Sequence, residues 1–460
     1  MRTSFRKHSV GASATCLLLA AACATTQAPA SAAARAPDAA RPERPAIYEV
    51  FVRDFSPSGD FQGVTDGLGR IQEAGANVVW LMPIYPIGKA NRKGSLGSPY
   101  AAADYRAVNP DFGTEADFRN LVRAVHARGM KLILDFVPNH TAFDHVWVRE
   151  HPDRYTHDSS GKITVALDND GKPTDWTDVA DLDYNNPDTR RAVIADMRYW
   201  LEAFGIDGYR VDVAGFVPDA FWREAIPRLR AVRPILLLAE WGDPKMHELG
   251  FDLTYGWDSY SRLKAVWKGA PADSVFRYEL TDVRSLPRQG QRLRFTTNHD
   301  ETAWDQPPIT LFGGAAGARA AFVATALLPG VPLLYDGQEV ESPQKLGLFE
   351  KQPVAWDQPG AVAARSFYRR VIDLARRHPA FAGNDLELVA TDAPRDVIAY
   401  RRGDVVVVVN ARDRAMQVRL TGRDVTGMRD LLTGERQNSA GVLLPPYGAV
   451  VLGSGASPSQ

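Results

Sequence analysis

Cysteine is nearly missing from this 460-residue chain: the two present, Cys16 and Cys23, both lie within the first 23 residues. Whatever folds beyond them has no disulfide, no cysteine-ligated zinc and no thiol nucleophile. An excess of charge of either sign is missing too. The 54 Lys and Arg against 55 Asp and Glu leave a net charge of −1, so no global field favours nucleic acid. The apolar stretch Val10 to Ala22 falls short of the ~20 residues that a membrane-spanning helix needs. No repeat of solenoid length is visible. What the chain does have is 45% hydrophobic and 24% charged residues, an ordinary balance for a soluble globular enzyme. That is enough for a large core, which excludes a disordered chain or a disulfide miniprotein.

The N-terminus reads as an export signal. Arg2, Arg6 and Lys7 precede the apolar stretch, the order of a secretory n-region and h-region. The stretch ends Leu19-Ala20-Ala21-Ala22-Cys23, which resembles a bacterial lipobox in which the cysteine becomes the lipidated first residue. Ordinary cleavage after Ala30-Ser31-Ala32 is the alternative. Residues 1–23 are therefore expected to be a signal peptide of lipoprotein type, and residues 24–45, rich in Ala, Pro and Thr, a flexible linker. The expected location is the periplasm or cell envelope, with soluble secretion as the alternative. The only membrane contact expected is that lipid anchor. Beyond residue 45 the chain carries 48 basic and 53 acidic side chains, a net charge of −5. Such a balance suits a neutral polymer or small molecule better than an anionic one.

From there the chain alternates short apolar runs with amphipathic helices. Strands are expected at Ile47–Val52, Val78–Met82, Lys131–Val137, Tyr209–Val213, Ile235–Ala239, Phe251–Tyr255, Leu293–Thr297 and Val331–Tyr335. Helical spacing is read at Val64–Ala74, Glu115–Arg128, Thr189–Phe204, Ala220–Val232, Ala315–Leu328 and Ala364–Arg377. Eight alternating units predict an α/β fold, a parallel (β/α)8 TIM barrel over residues 46–140 and 189–380. Residues 141–188, rich in Asp, Gly, Thr and Asn, are too long for a βα loop and read as a short inserted domain after strand 3. Residues 381–455 switch to alternating β, with runs at Val397–Tyr400, Val405–Asn410, Met416–Leu420 and Val450–Leu452. They predict a C-terminal antiparallel β-sandwich domain.

Polar residues cluster where barrel enzymes keep their chemistry, at the C-terminal ends of strands. The third strand ends Asp135-Phe136-Val137-Pro138-Asn139-His140, and the fourth reads Gly208-Tyr209-Arg210-Val211-Asp212. The fifth ends Leu238-Ala239-Glu240, and the seventh leads into Asn298-His299-Asp300. One acidic residue at a strand end is ordinary turn chemistry. Four such segments, in order and each on its own strand, are not.

These four segments resemble the four signature regions of the α-amylase family, glycoside hydrolase family 13. Gly94 to Gly113, with Ser98-Pro99-Tyr100 and Asp104-Tyr105, is similar to that family's loop after the second strand. Val179-Ala180-Asp181-Leu182-Asp183-Tyr184 is similar to the motif that closes its inserted domain B, and Val331 to Glu339 to its eighth-strand segment. The resemblance spans about residues 46 to 455. It implies Asp212 as nucleophile, Glu240 as general acid/base and Asp300 as the residue that grips the sugar and stabilises the transition state. It implies Arg210 beneath Asp212, His140 and His299 as hydrogen-bonders to the sugar, and Tyr100 as the surface under the ring. Retaining hydrolysis of an acetal needs such a set: one ionised and one protonated carboxyl about 5 Å apart. The expected activity is hydrolysis of α-1,4-glucosidic bonds of starch, α-glucans or maltooligosaccharides. A transglycosylase, or an enzyme degrading cyclodextrin or pullulan, would use the same site.

No cofactor and no metal are expected. Many relatives hold calcium near the residue matching Asn139, with Lys-His where this chain has Gly215-Phe216. That departure, and the short insertion, put calcium in doubt, and two readings of Asn139 stay open, a calcium ligand and a loop hydrogen-bonder. The same Gly215-Phe216 stands where the neopullulanase and cyclomaltodextrinase branch carries Asn-Glu, so similarity to that branch is partial. Trp176, Trp241 and Trp304 are candidate sugar platforms, although an indole serves packing more often.

Overall fold

A computed structural model describes residues 43–287 and 289–454 of the chain. The signal segment with Cys23, and all but the last three residues of the linker, lie outside the described residues. Among those described, no helix is long and apolar enough to cross a membrane.

Eight parallel strands close into a barrel. They are β1 (Ile47–Val50), β2 (Val78–Leu81), β3 (Lys131–Phe136), β6 (Gly208–Val211), β7 (Leu236–Ala239), β8 (Leu253–Tyr255), β9 (Gln291–Arg294) and β10 (Val331–Tyr335), with β4 (His140–Ala142) and β5 (Val179–Asp181) outside the ring. All eight expected strands are present and close in the order β1-β10-β9-β8-β7-β6-β3-β2. Some are unbroken apolar runs, such as Val78-Val79-Trp80-Leu81, all buried, because the barrel interior covers one face and the helices the other. The six helices read from spacing are present, Phe61–Glu73 and Ala315–Ala326 among them. Ala315–Ala326 is buried from Gly317 onward except at Arg319; strand β13 (Val405–Asn410) of the C-terminal sheet packs against it. Two helices of more than ten residues were not read, Trp257–Trp267 and Asp273–Ser285, between β8 and β9. The first does carry a helical signal, since Trp257, Tyr260, Leu263 and Val266 recur at every third residue.

The insertion leaves the barrel after β3. His140 begins β4, which pairs antiparallel with β5 through His140↔Asp181 and Ala142↔Val179. This small sheet fastens the start of the excursion to its end, directly above β3. The C-terminal part has a five-stranded sheet, in the order β11 (Glu387–Leu388), β12 (Val397–Arg402), β13 (Val405–Asn410), β17 (Ala449–Gly453) and β15 (Arg429–Asp430). A second sheet pairs β14 (Met416–Arg419) with β16 (Gly441–Leu444). The run Val405 to Val409 is buried throughout because its two faces meet different cores. Val405, Val407 and Val409 join the barrel's core, whereas Val406 and Val408 face Val418, Val442 and Leu444 of the second sheet. Arg412 and Arg402 bond backbone carbonyls of the barrel at Val266 and Leu327.

Gly208 opens β6, the strand that leads to Asp212. Its φ is +145°, and a β-carbon there would stand 1.9 Å from the carbonyl oxygen of Leu236 on β7. Only glycine lets β6 and β7 approach this closely, and these two strands carry Asp212 and Glu240 at their ends. We expect Gly208→Ala to destabilise the fold by about 3 kcal/mol or more, from strain plus overpacking. A denaturation midpoint equal to that of the unchanged protein would contradict this account of the β6–β7 contact.

Candidate active site

Six of the seven site residues read from sequence line one cavity of about 380 Å³ at the C-terminal mouth of the barrel: Tyr100, His140, Asp212, Glu240, His299 and Asp300. The seventh, Arg210, lies beneath them, fully buried. It projects from β6 two residues before Asp212, so both point to the barrel interior.

Arg210 is the hub. Its Nη1 donates to Asp135 Oδ1 at 2.9 Å and to Asp212 Oδ1 at 2.8 Å. Its Nη2 lies 2.8 Å from Glu240 Oε2 but is not aligned for a hydrogen bond, so that contact is electrostatic. One cation therefore faces three carboxylates. Asp135 is held further by the Trp80 indole and the Tyr100 hydroxyl, each at 3.2 Å. Arg210 is therefore more than a structural partner of Asp135, because the same guanidinium holds Asp212 as well.

Burial pushes the Glu240 carboxyl up to about 8, against the pull of Arg210 and helped by the neighbouring charges of Asp212 and Asp300. Burial also raises Asp135, which Arg210 opposes. Glu240 accepts one further hydrogen bond, from the backbone N–H of Val213 at 2.8 Å. Val213 sits at φ +35°, a conformation that a β-branched residue rarely adopts. The turn after Asp212 is thus strained in the place where it aims an N–H at Glu240.

His299 belongs to a second chain of contacts. Its Nε2 is 2.7 Å from the Tyr100 hydroxyl, its Nδ1 bonds Glu49 of β1, and its ring stacks on Tyr100 at 5.3 Å. Burial alone would lower its pKa, but Asp300 and Glu49 outweigh burial and raise it to about 9. As an imidazolium it donates from both nitrogens. Asp300 sits in the first turn of the helix His299–Trp304, whose start is capped by the Asn298 side chain accepting from the Glu301 N–H. His140 is buried, and burial lowers its pKa, so it lines the cavity as a neutral hydrogen-bonder beside Trp176.

The three tryptophans separate. Trp176 lines the cavity and stacks on Phe216 at 6.0 Å; Trp304 lines it as well, with 65% of its surface exposed. Trp241 does not line it, which corrects its candidacy as a platform. Its ring packs against Gly215, where a β-carbon would come within 2.1 Å of the indole, and edge-on against Phe216. Gly215-Phe216 is therefore part of an aromatic wall. A calcium site does not fit the side chains around Asn139. A calcium ion needs six to eight oxygen ligands. Here the Asn139 amide meets His140, Asp181 accepts from Thr156 and Leu167, and Asp178 pairs with Lys93. Among the described residues no group of three or more His, Cys, Asp or Glu is poised for a metal.

Sequence reasoning missed Glu49, Lys93 and Asp178. Glu49 hides in the apolar run Ile47-Tyr48-Glu49-Val50, where a lone charged residue in a buried strand was the available signal. Lys93 and Asp178, 3.0 Å apart, join the loop after β2 to the insertion at the cavity wall.

Comparison with known proteins follows the same lines. The alpha amylase catalytic-domain family matches residues 29–179 and 174–233. Alpha-amylase MalA of Haloarcula japonica is 29% identical over 86% of this chain, which spans 59% of MalA's length. Neopullulanase 2 of Thermoactinomyces vulgaris is 27% identical, with 90% of this chain and 73% of the relative covered. The crystal structure of an alpha-amylase from Lactobacillus plantarum superposes with a TM-score of 0.78 at 31% identity, covering 89% of this chain and 98% of that one.

The Glu49–His299 pair yields a measurable expectation. Its folded-state value exceeds the ~6.5 of an unfolded histidine. The stabilisation is therefore full below pH ~6.5 and is lost as pH rises through about 9. Glu49→Gln should move the His299 titration, followed by NMR, to lower pH. An unmoved titration would show that Glu49 does not hold the imidazolium.

Proposed function

Starting from the family to which this chain belongs, the α-amylases of glycoside hydrolase family 13, we propose that it is a retaining glycosidase of α-1,4-glucosidic bonds in α-glucans or maltooligosaccharides. The observation that carries this reading is the pair Asp212 and Glu240, bridged by one guanidinium. Such a bridge suits the ~5–5.5 Å carboxyl spacing of retaining enzymes.

In the first step the Asp212 carboxylate attacks the anomeric carbon. The bond to the leaving oxygen breaks, and Glu240 gives that oxygen its proton. The products are a β-linked glycosyl ester on Asp212 and a free sugar hydroxyl. In the second step Glu240, now a carboxylate, takes a proton from water. The hydroxyl oxygen attacks the same carbon from the other face and releases Asp212. Burial of Glu240 supports its role as acid, because it keeps the carboxyl protonated at neutral pH. Asp300 and the paired His299 stand where they can hold the hydroxyls of the reacting ring. Tyr100 and His140 flank the same space. A sugar hydroxyl in place of water in the second step would give transglycosylation, which product analysis with and without added acceptor distinguishes.

Asp212→Asn should abolish turnover on every substrate, because no glycosyl ester forms. Glu240→Gln should be severe on maltooligosaccharides and mild in the first step on a glycoside with an acidic phenol leaving group, which departs unprotonated. Azide should then restore turnover of that variant. In the unchanged enzyme kcat/KM on maltooligosaccharides should fall as pH rises through about 8, where Glu240 loses its proton. Equal losses on both substrate types for Glu240→Gln would count against this assignment.

The reading extends to the cell envelope, with Cys23 as the lipid attachment point, supported by the Leu19 to Cys23 segment. Expressed with its full N-terminus, the protein should take up labelled fatty acid and partition with membranes, and Cys23→Ser should abolish both. Unlabelled soluble protein from the unchanged gene would favour simple secretion.

A further inference from the structure

We propose that Trp304 is a platform for a second glucosyl ring and sets a preference for longer glucans. This rests on the hydrolase reading above. Large apolar side chains are scarce on this surface: among the described residues Trp304, Val362 and Leu443 are the exposed ones, and Trp304 is the one that lines the cavity. Keeping 65% of an indole in water forgoes stabilisation that burial would bring, so the fold gains little from its position.

The indole is also held in place. It ends the helix His299–Trp304, one turn after Asp300 and on the same helical face. Lys264 bonds Glu301 at 3.0 Å and Asp305 at 3.1 Å, pinning the helix on both sides of Trp304. Phe349 backs the ring edge-on at 5.8 Å. Phe349 is fixed in turn, since its carbonyl accepts the Leu96 N–H at 3.0 Å. A rigid apolar plane that loses no side-chain freedom on binding is a favourable partner for the C–H face of a pyranose. Four residues of helix rise by ~6 Å, which places the plane about one ring beyond the sugar gripped by Asp300. Of the other two indoles, Trp176 also lines the cavity, stacked on Phe216, and Trp241 packs behind Gly215 outside it.

The test uses maltotriose and maltoheptaose. Trp304→Ala should lower the ratio of kcat/KM for maltoheptaose to that for maltotriose by about five- to tenfold, the worth of one stacking contact. A second measurement does not depend on turnover. In the Asp212→Asn protein, maltoheptaose should shift tryptophan emission, and adding Trp304→Phe should remove most of that shift. An unchanged ratio, or an emission change that survives Trp304→Phe, would overturn the proposal. If the unchanged enzyme cleaves no α-glucan, the hydrolase reading has failed, and the emission titration still decides whether Trp304 meets a glucan.

Discussion

A single buried cation organises this molecule's chemistry. Arg210 has no exposed surface, and a guanidinium out of water must be paired or the fold bears several kcal/mol of desolvation. It is paired three times over, with Asp135, Asp212 and Glu240. One positive charge cannot stabilise three ionised carboxylates in a dry site. The one that Arg210 meets without an aligned hydrogen bond, and that has Asp212 and Asp300 as neighbours, is Glu240. The same arrangement that makes the arginine affordable therefore keeps a proton on Glu240 and leaves Asp212 bonded to the cation. In the proposed mechanism, two identical functional groups acquire different roles from their surroundings.

The barrel is what brings these groups together. Asp135 and Arg210 lie on β3 and β6, and Asp212 and Glu240 just beyond β6 and β7, three strands adjacent in the ring. Glu49 arrives from β1 to meet His299, 250 residues away. Local strain is accepted where it serves this meeting. Gly208 permits the close β6–β7 contact, and Val213 adopts a disfavoured backbone conformation that directs its N–H to Glu240. Both sit within five residues of Asp212 in the sequence, which concentrates the unusual backbone of β6 around one carboxylate.

Much of this was legible in the chain itself. The eight apolar runs stood out because barrel strands are covered on both faces, and the acidic residues at their ends stood out against that background. Asp212, Glu240, Asp300, His140, His299, Arg210 and Tyr100 were each identified by position in a motif, and the fold gathers all seven. What escaped was long-range or a matter of exposure. Nothing local to Glu49 announces a partner on another strand, and the Lys93–Asp178 contact exists only because the insertion folds back over the loop after β2. The three tryptophans are chemically alike in sequence. Their packing separates Trp241, behind Gly215, from Trp304 in solvent. The helix Trp257–Trp267 after β8 carried a readable period, but the three-residue β8 gave little to anchor it.

The central claim is that Asp212 and Glu240 divide nucleophile and acid/base roles beneath one arginine. It is tested most directly by the configuration of the first product, followed by NMR on an α-1,4-linked substrate before mutarotation. Two displacements at one carbon give the α-anomer first. A β-anomer appearing first would mean a single displacement by water, and the division of roles beneath Arg210 would be wrong.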